Sequence, residues 1–260
     1  MRLAISSDRN LGKELDTVEI VDIGHQYTQR PMKFLLPTSC IGCSKFQASR
    51  ICDKCINLLK CRQINRCSQC ALICAELKTI CASCKNRPPQ FDKTICMDCY
   101  GGPLTNAVHD YKYKHQVAIA RGLVDAWLQI HPMRNLMNNI DLLIPVPMST
   151  QKLNQRGFNQ SWELCKWFSK ELKITRSSSI LFRSHLEANQ AQANREERMK
   201  RLQTVFDINP DKINMIKNAR IVLIDDVMTT GATLSTIAKL LKDFGAQSVH
   251  NWVILRTPYK

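Results

Sequence analysis

Arg220-Ile221-Val222-Leu223-Ile224-Asp225-Asp226-Val227-Met228-Thr229-Thr230-Gly231-Ala232-Thr233 is the stretch from which the fold of this chain can be read. Residues 222–224 form a continuous apolar run, as in a strand buried on both faces of a parallel sheet. Two carboxylates follow at its end, then a hydroxyl-rich turn with one glycine. Residues 234–244 come next, with apolar positions at helical spacing (Leu234, Ile237, Ala238, Leu240, Leu241). Strand, polar loop and helix in that order place polar groups at the carboxyl end of the strand, where open α/β sheets bind ligands. Gly231 lets the backbone approach an anion closely, and the N–H groups of Thr230 to Thr233 open a helix whose dipole favours a phosphate. The hydroxyls of Thr229, Thr230 and Thr233 add further donors. Asp225 and Asp226 suit two vicinal ribose hydroxyls or a Mg²⁺ ion. A simple helix cap would explain one acid, but not two acids followed by Thr-Thr-Gly-x-Thr. The loop has neither a lysine nor the G-x-x-x-x-G-K-[ST] pattern, so a sugar phosphate fits better than a nucleoside triphosphate.

The run resembles the phosphoribosyl pyrophosphate (PRPP) loop of type I phosphoribosyltransferases. The resemblance implies that Asp225 and Asp226 hold the ribose hydroxyls, with Mg²⁺ accompanying the ligand. It also implies that Thr229, Thr230, Gly231, Ala232 and Thr233 hold the 5′-phosphate. The fold class expected is α/β, a mostly parallel sheet flanked by helices in the type I phosphoribosyltransferase arrangement.

At 260 residues the chain has room for one full domain and something smaller. Its hydrophobic share of 44% and charged share of 23% are those of a globular protein. The formal net charge of +15 is not ordinary, and points to contact with polyanions: nucleic acid, an anionic membrane face or phosphorylated ligands. No apolar run is long enough to span a membrane and residues 1–5 lack a signal-peptide core, so a cytoplasmic location is expected.

Of the 13 cysteines, all but Cys165 lie between Cys40 and Cys99. Four C-x-x-C pairs (Cys40/Cys43, Cys52/Cys55, Cys67/Cys70, Cys81/Cys84) each offer one knuckle of a thiolate site, and two knuckles close a Cys₄ site for structural Zn²⁺. Sequential pairing puts Cys40, Cys43, Cys52 and Cys55 on one ion and Cys67, Cys70, Cys81 and Cys84 on another; an interleaved pairing satisfies the same count. The segment has few large apolar residues, so metal is expected to supply folding energy. Cys61 and Cys74 are left over as plain thiols. Cys96 and Cys99 lie in a strand-like run, where a small core residue is at least as natural as a ligand. Cys165 sits on the apolar face of a helix.

These patterns divide the chain into a poorly ordered segment over 1–34, a Cys-rich zinc-binding module over 35–92 and a PRPP-binding domain over 93–260. Met32 stands directly before the cysteines and is a plausible start codon. Within the larger domain, residues 117–130 have helical spacing, and residues 141–147 read as a buried strand ended by prolines. Residues 151–160 read as a basic, glycine-containing loop, and residues 161–172 as a helix. Residues 183–201 carry dense mixed charge between apolar flanks and read as a mobile flap.

Ile144-Pro145-Val146-Pro147, Arg156-Gly157-Phe158-Asn159-Gln160 and Ile224-Asp225-Asp226-Val227-Met228-Thr229-Thr230-Gly231-Ala232-Thr233, behind a C-x-x-C module, are similar in order and kind to the ComF (ComFC/GntX) family. The likeness extends to Lys112, Arg183, Gln190, Arg198 and Phe206, and to residues 252–257, so that it covers roughly residues 32–258; Arg201 departs from the family's usual Asn. The resemblance implies support of natural transformation: handling of incoming single-stranded DNA beside a helicase and DNA-loading proteins, at the inner face of the cytoplasmic membrane. It makes Lys152, Arg156 and Asn159 candidates for diphosphate contacts, and Arg183 and Arg198 candidates for contacts from a lid. A metabolic phosphoribosyltransferase acting on a small nitrogenous acceptor, and a non-catalytic PRPP-sensing adaptor, are the alternatives. No stretch of the sequence names an acceptor.

Overall fold

A computed structural model describes residues 38–74, 80–131, 140–183 and 205–258, all within one compact unit. The expected segment 1–34 and the lid residues Gln190, Arg198 and Arg201 lie outside the described residues.

The centre is a five-stranded parallel sheet in the order β3-β9-β8-β4-β5, built from β3 (Lys93–Cys99), β4 (Leu142–Pro145), β5 (Thr175–Arg176), β8 (Arg220–Met228) and β9 (Ser248–Arg256). Central strands of such a sheet must be apolar on both faces, and Ile221 to Ile224 are all buried. One face is covered by α3 (Thr105–Tyr113), α4 (Ile119–Ile130) and α6 (Gln160–Leu172), which share a core with Trp127, Phe168 and Trp252. The other face is covered by α7 (Ala232–Asp243), whose Leu234, Ile237, Ala238 and Leu241 are buried as their spacing requires.

Two short hairpins complete the frame. The first pairs β1 (Thr38–Ser39) with β2 (Phe46–Gln47), and the second pairs β6 (Leu181–Arg183) with β7 (Phe206–Ile208). The second hairpin brackets the charged segment read as a lid.

The Cys-rich segment carries α1 (Asp53–Cys61) and α2 (Ala82–Asn86) and packs along the edge strand β3. Cys40, Ile51, Cys55, Ile56 and Leu59 enter the core on one face of the sheet; Cys67, Cys70, Leu72, Cys84 and Phe91 enter the core on the other. Between them the chain covers the open edge. Gln63 Nε2 donates to the Met97 carbonyl (2.6 Å), and Arg62 Nε donates to the buried Asp98 carboxylate (2.6 Å). A bare edge strand is a template for unwanted pairing, and this coverage removes part of it. Cys96 is 1% exposed within that core and Cys165 is fully buried, both as small apolar residues.

Two readings change. Residues 151–160 are not an open loop: Thr150–Arg156 forms α5, with the Ser149 hydroxyl accepting from the Lys152 N–H and Gly157 ending the helix at φ +72°. The central strand does not stop before the two acids. It continues to Met228, because β9 pairs with it as far as Arg256.

Candidate functional site

The carboxyl ends of β4 and β8 open into a cavity of about 330 Å³ lined by groups from five segments, among them Asp225, Asp226, Lys112, Lys152, Arg156 and Arg183. A second, small pocket of about 40 Å³ lies beside it between Asp225 and the turn Thr229–Thr233. The larger space has the dimensions of a small-molecule site. The smaller one admits only a compact group.

The acids stand where the two spaces meet. Asp225 is half-buried; its Oδ1 accepts from Ser161 Oγ (2.9 Å) and from the Asp226 backbone N–H (2.9 Å). Burial and the neighbouring Asp226 carboxylate push its pKa up to about 7, against the pull of those hydrogen bonds and of Lys112. Asp226 is buried and pairs through Oδ2 with Lys112 Nζ at 3.0 Å. Two carboxylates held this close with one ammonium leave net negative charge, which suits hydroxyl donors or a divalent cation.

The turn presents donor groups of the kind that can receive an anion. Gly231 takes φ +82°, a left-handed conformation, and stands as the N-cap of α7. A Cβ there would meet the Met228 Cε methyl at 2.5 Å. Thr229, Thr230, Ala232 and Thr233 are exposed, so their hydroxyls and the helix N-terminus face outward. Thr230 Oγ1 accepts from the Ala232 N–H (3.3 Å), which shapes the turn.

The remaining candidates divide. Lys152 is exposed at the cavity wall, and Arg156 donates to Gln160 Oε1 (3.2 Å) while covering the Tyr113 ring. Asn159 has its amide committed: Nδ2 donates to the Val146 carbonyl (3.1 Å) and Oδ1 caps α6 by accepting from the Trp162 N–H. It holds the cavity wall in shape. Arg183, on β6, reaches the cavity from the base of the lid segment.

Three groups were not singled out as site residues from the sequence, although Lys112 and Arg256 fall within the family likeness. Ser161 looked like an ordinary helix start, yet its hydroxyl holds Asp225. Lys112 stands far from the acids in sequence and meets them only through the packing of α3. Arg256 is 1% exposed: its guanidinium donates to the carbonyls of Cys70 (2.9 Å), Met228 (3.1 Å) and Thr257 (2.7 Å), and also contacts the Thr229 carbonyl. A buried arginine is the only signal of this kind, and nothing in a single sequence marks one as buried.

The eight paired cysteines form two sets, Cys40/Cys43/Cys52/Cys55 and Cys67/Cys70/Cys81/Cys84, and within each set the sulfurs all lie within 4.8 Å of one another. Individual Sγ–Sγ separations are 3.7 Å (Cys40–Cys55), 3.8 Å (Cys43–Cys52) and 3.7 Å (Cys70–Cys81). A tetrahedron with zinc–sulfur bonds of 2.3 Å has edges of about 3.8 Å. Both sets therefore have the size of a metal site. The Cys40 Sγ accepts from the N–H groups of Gly42 (3.4 Å) and Cys52 (3.3 Å), and the Cys67 Sγ from those of Cys70 (3.5 Å) and Cys81 (3.3 Å). Burial raises the pKa of both thiols, but backbone donors outweigh it and bring each down to about 7. In the same sets burial and neighbouring sulfurs push the Cys55 and Cys84 thiols up, and Cys70 up to about 11, so each set holds one thiol near neutrality beside members that ionise less readily. Cys61, Cys74, Cys96 and Cys99 belong to neither set.

A family model described as the phosphoribosyl transferase domain matches residues 169–260. The chain is 30% identical over 210 residues to the DNA utilization protein YhgH of Salmonella typhimurium, an overlap covering 80% of this chain and 90% of that one. It is 26% identical over 220 residues to competence protein F of Haemophilus influenzae, covering 84% and 95% of the two chains. To competence protein ComFC of Bacillus subtilis it is 33% identical over 117 residues, 45% of each chain.

Proposed function

The chain belongs to the ComF family, and from that membership we propose that it handles single-stranded DNA during natural transformation, with a PRPP-binding domain and a zinc-bearing module as its working parts. One observation carries the ligand. Two adjacent carboxylates stand between a cavity edged by lysine and arginine and a small pocket closed by a helix N-terminus. That order of negative and positive ends matches PRPP: diphosphate, ribose, 5′-phosphate.

In this reading the 5′-phosphate occupies the small pocket, on the backbone N–H groups and hydroxyls of Thr229 to Thr233. The ribose hydroxyls donate to Asp225 and Asp226, which Ser161 and Lys112 hold in place. Lys152, Arg156 and Arg183 meet the diphosphate, where dense charge-assisted donors are most effective. Mg²⁺, when bound with the ligand, would neutralise diphosphate charge, and the acids are the groups suited to it. The segment between Arg183 and Phe206 springs from a hairpin at the cavity mouth, which suits a lid over the bound ligand. Both cysteine sets take zinc, as their donor chemistry and size favour.

Calorimetry with PRPP and Mg²⁺ tests the assignment. Changing both acids (Asp225→Ala with Asp226→Ala) removes two charge-assisted hydrogen-bond acceptors worth about 1.5–3 kcal/mol each. PRPP affinity is expected to drop by about tenfold or more per acid. Wild-type affinity in the double variant would refute the site. A double variant that loses PRPP yet supports transformation would leave the site standing and remove its link to DNA uptake.

A further inference from the structure

On the outer side of α6 a groove of about 500 Å³ runs between the start of α4 and β5. It shares no lining residue with the cavity at Asp225 and Asp226. Glu163, Lys166, Trp167 and Lys170 supply one wall from a single helical face, Val117 and Ala118 the other, and Arg176 closes an end. Trp167 is only half-buried, although an indole is among the most costly surfaces to leave in water. Cations surround it: the Arg121 guanidinium lies 4.8 Å and the Lys170 ammonium 5.0 Å from its ring centroid. Next to it, Arg176 stands 5.5 Å from the Trp162 ring centroid. Glu163, the one acid in the lining among the described residues, is paired with Lys166 at 2.7 Å.

We propose that this groove is the track for single-stranded nucleic acid, with a base laid against Trp167 and the backbone phosphates on Lys166, Lys170 and Arg176. The proposal rests on the DNA-handling reading above and names the surface that performs it. Charge complementarity selects a polyanion. The apolar floor and the indole select one with a flat face on every charged unit, which single strands offer and runs of Asp and Glu do not. Lys170 and Arg176 are exposed, so each can swing from ring to phosphate as a base takes its place, Arg176 giving up its hydrogen bond to Ser169 Oγ (3.1 Å). The same helix bears Ser161 at its start, roughly 9 Å along the axis from Trp167 at 1.5 Å per residue. One rigid element thus joins the sugar-phosphate cavity to the groove.

Binding of a fluorescent oligothymidylate of about a dozen nucleotides, followed by anisotropy at low and high salt, tests this. Lys170→Glu with Arg176→Glu should weaken binding by about tenfold or more and flatten its salt dependence, while PRPP affinity stays at the wild-type value. Trp167→Ala should cost about tenfold, and Trp167→Phe, which keeps a stacking ring, should restore most of it. If the wild type binds the oligonucleotide and all these variants bind it equally well, the groove is not the track and the DNA reading survives. If the wild type binds no oligonucleotide even at low salt, both fall. Displacement of the oligonucleotide by polyglutamate, equally from wild type and from Trp167→Ala, would assign the cations to an acidic protein and overturn the proposal.

Discussion

Asp225 is half-buried beside another carboxylate, and its folded pKa of about 7 stands well above the ordinary aspartate value of 3.8. The folded state therefore binds more protons than the unfolded state between about pH 4 and pH 7. The resulting stability is fully present below about pH 4 and is lost as pH rises through about 7. Asp225→Asn keeps the shape and removes the titration. The ligand-free variant should melt at a higher temperature than wild type at pH 8, with a flatter dependence of Tm on pH between 5 and 8. Its Mg²⁺-dependent PRPP affinity should fall. A wild-type pH profile in the variant would show that Asp225 does not carry the linkage. Stability given up at a binding carboxylate is the expected trade at a functional site.

At the scale of elements, the sequence carried most of what depends on local pattern. The apolar run before Asp225, the spacing of α7 and the hydroxyl turn between them are short-range signals, and strand, turn and helix stand where those signals put them. The reading of residues 151–160 missed α5, although Ser149 and Gly157 are a matching cap and stop; a helix of seven residues with no buried face leaves no apolar period to mark it. The extension of β8 through the acids was not legible, because it depends on β9, which follows only after α7. Lys112 and Arg256 were invisible as site residues for the same reason: their partners are distant in sequence. Two of the left-handed glycines, Gly157 and Gly231, allow a test of the turn. Gly157→Ala meets nothing within 4 Å and should cost only backbone strain, about 1–2 kcal/mol. Gly231→Ala carries the same strain and must also displace the Met228 methyl, so it should lower Tm further. It alone should weaken PRPP binding. Equal Tm losses and unchanged PRPP affinity would mean that the Gly231 turn is not shaped for the phosphate.

Across the whole molecule, the second cysteine set and the turn after β8 share one buried arginine. Arg256 Nε is held by the carbonyl of Cys70, a member of the second set, while its other nitrogen holds the carbonyls of Met228 and Thr229, where the turn begins. Gln90 adds a second link, its N–H donating to Ser235 Oγ on α7 at 3.0 Å. A metal ion bound at the second set would fix the Cys70 backbone through its sulfur, and its loss would loosen the carbonyl that anchors Arg256. The turn then loses a support without losing any group that touches the ligand. Elemental analysis of protein purified without chelator should find close to two zinc ions per chain, and absence of zinc would end this line of reasoning. Cys70→Ser should lower zinc content and PRPP affinity together. Cys43→Ser, at an exposed member of the first set with no hydrogen bond to Arg256, should lower zinc content with a much smaller effect on PRPP. Coupling between two ligands is reciprocal, so saturating PRPP must raise the zinc affinity read by equilibrium competition with a chromogenic chelator in the wild type, and Arg256→Lys must abolish that gain. If the chelator competes for zinc equally well with and without PRPP, the two sites are neighbours without communication, and Arg256 serves packing alone.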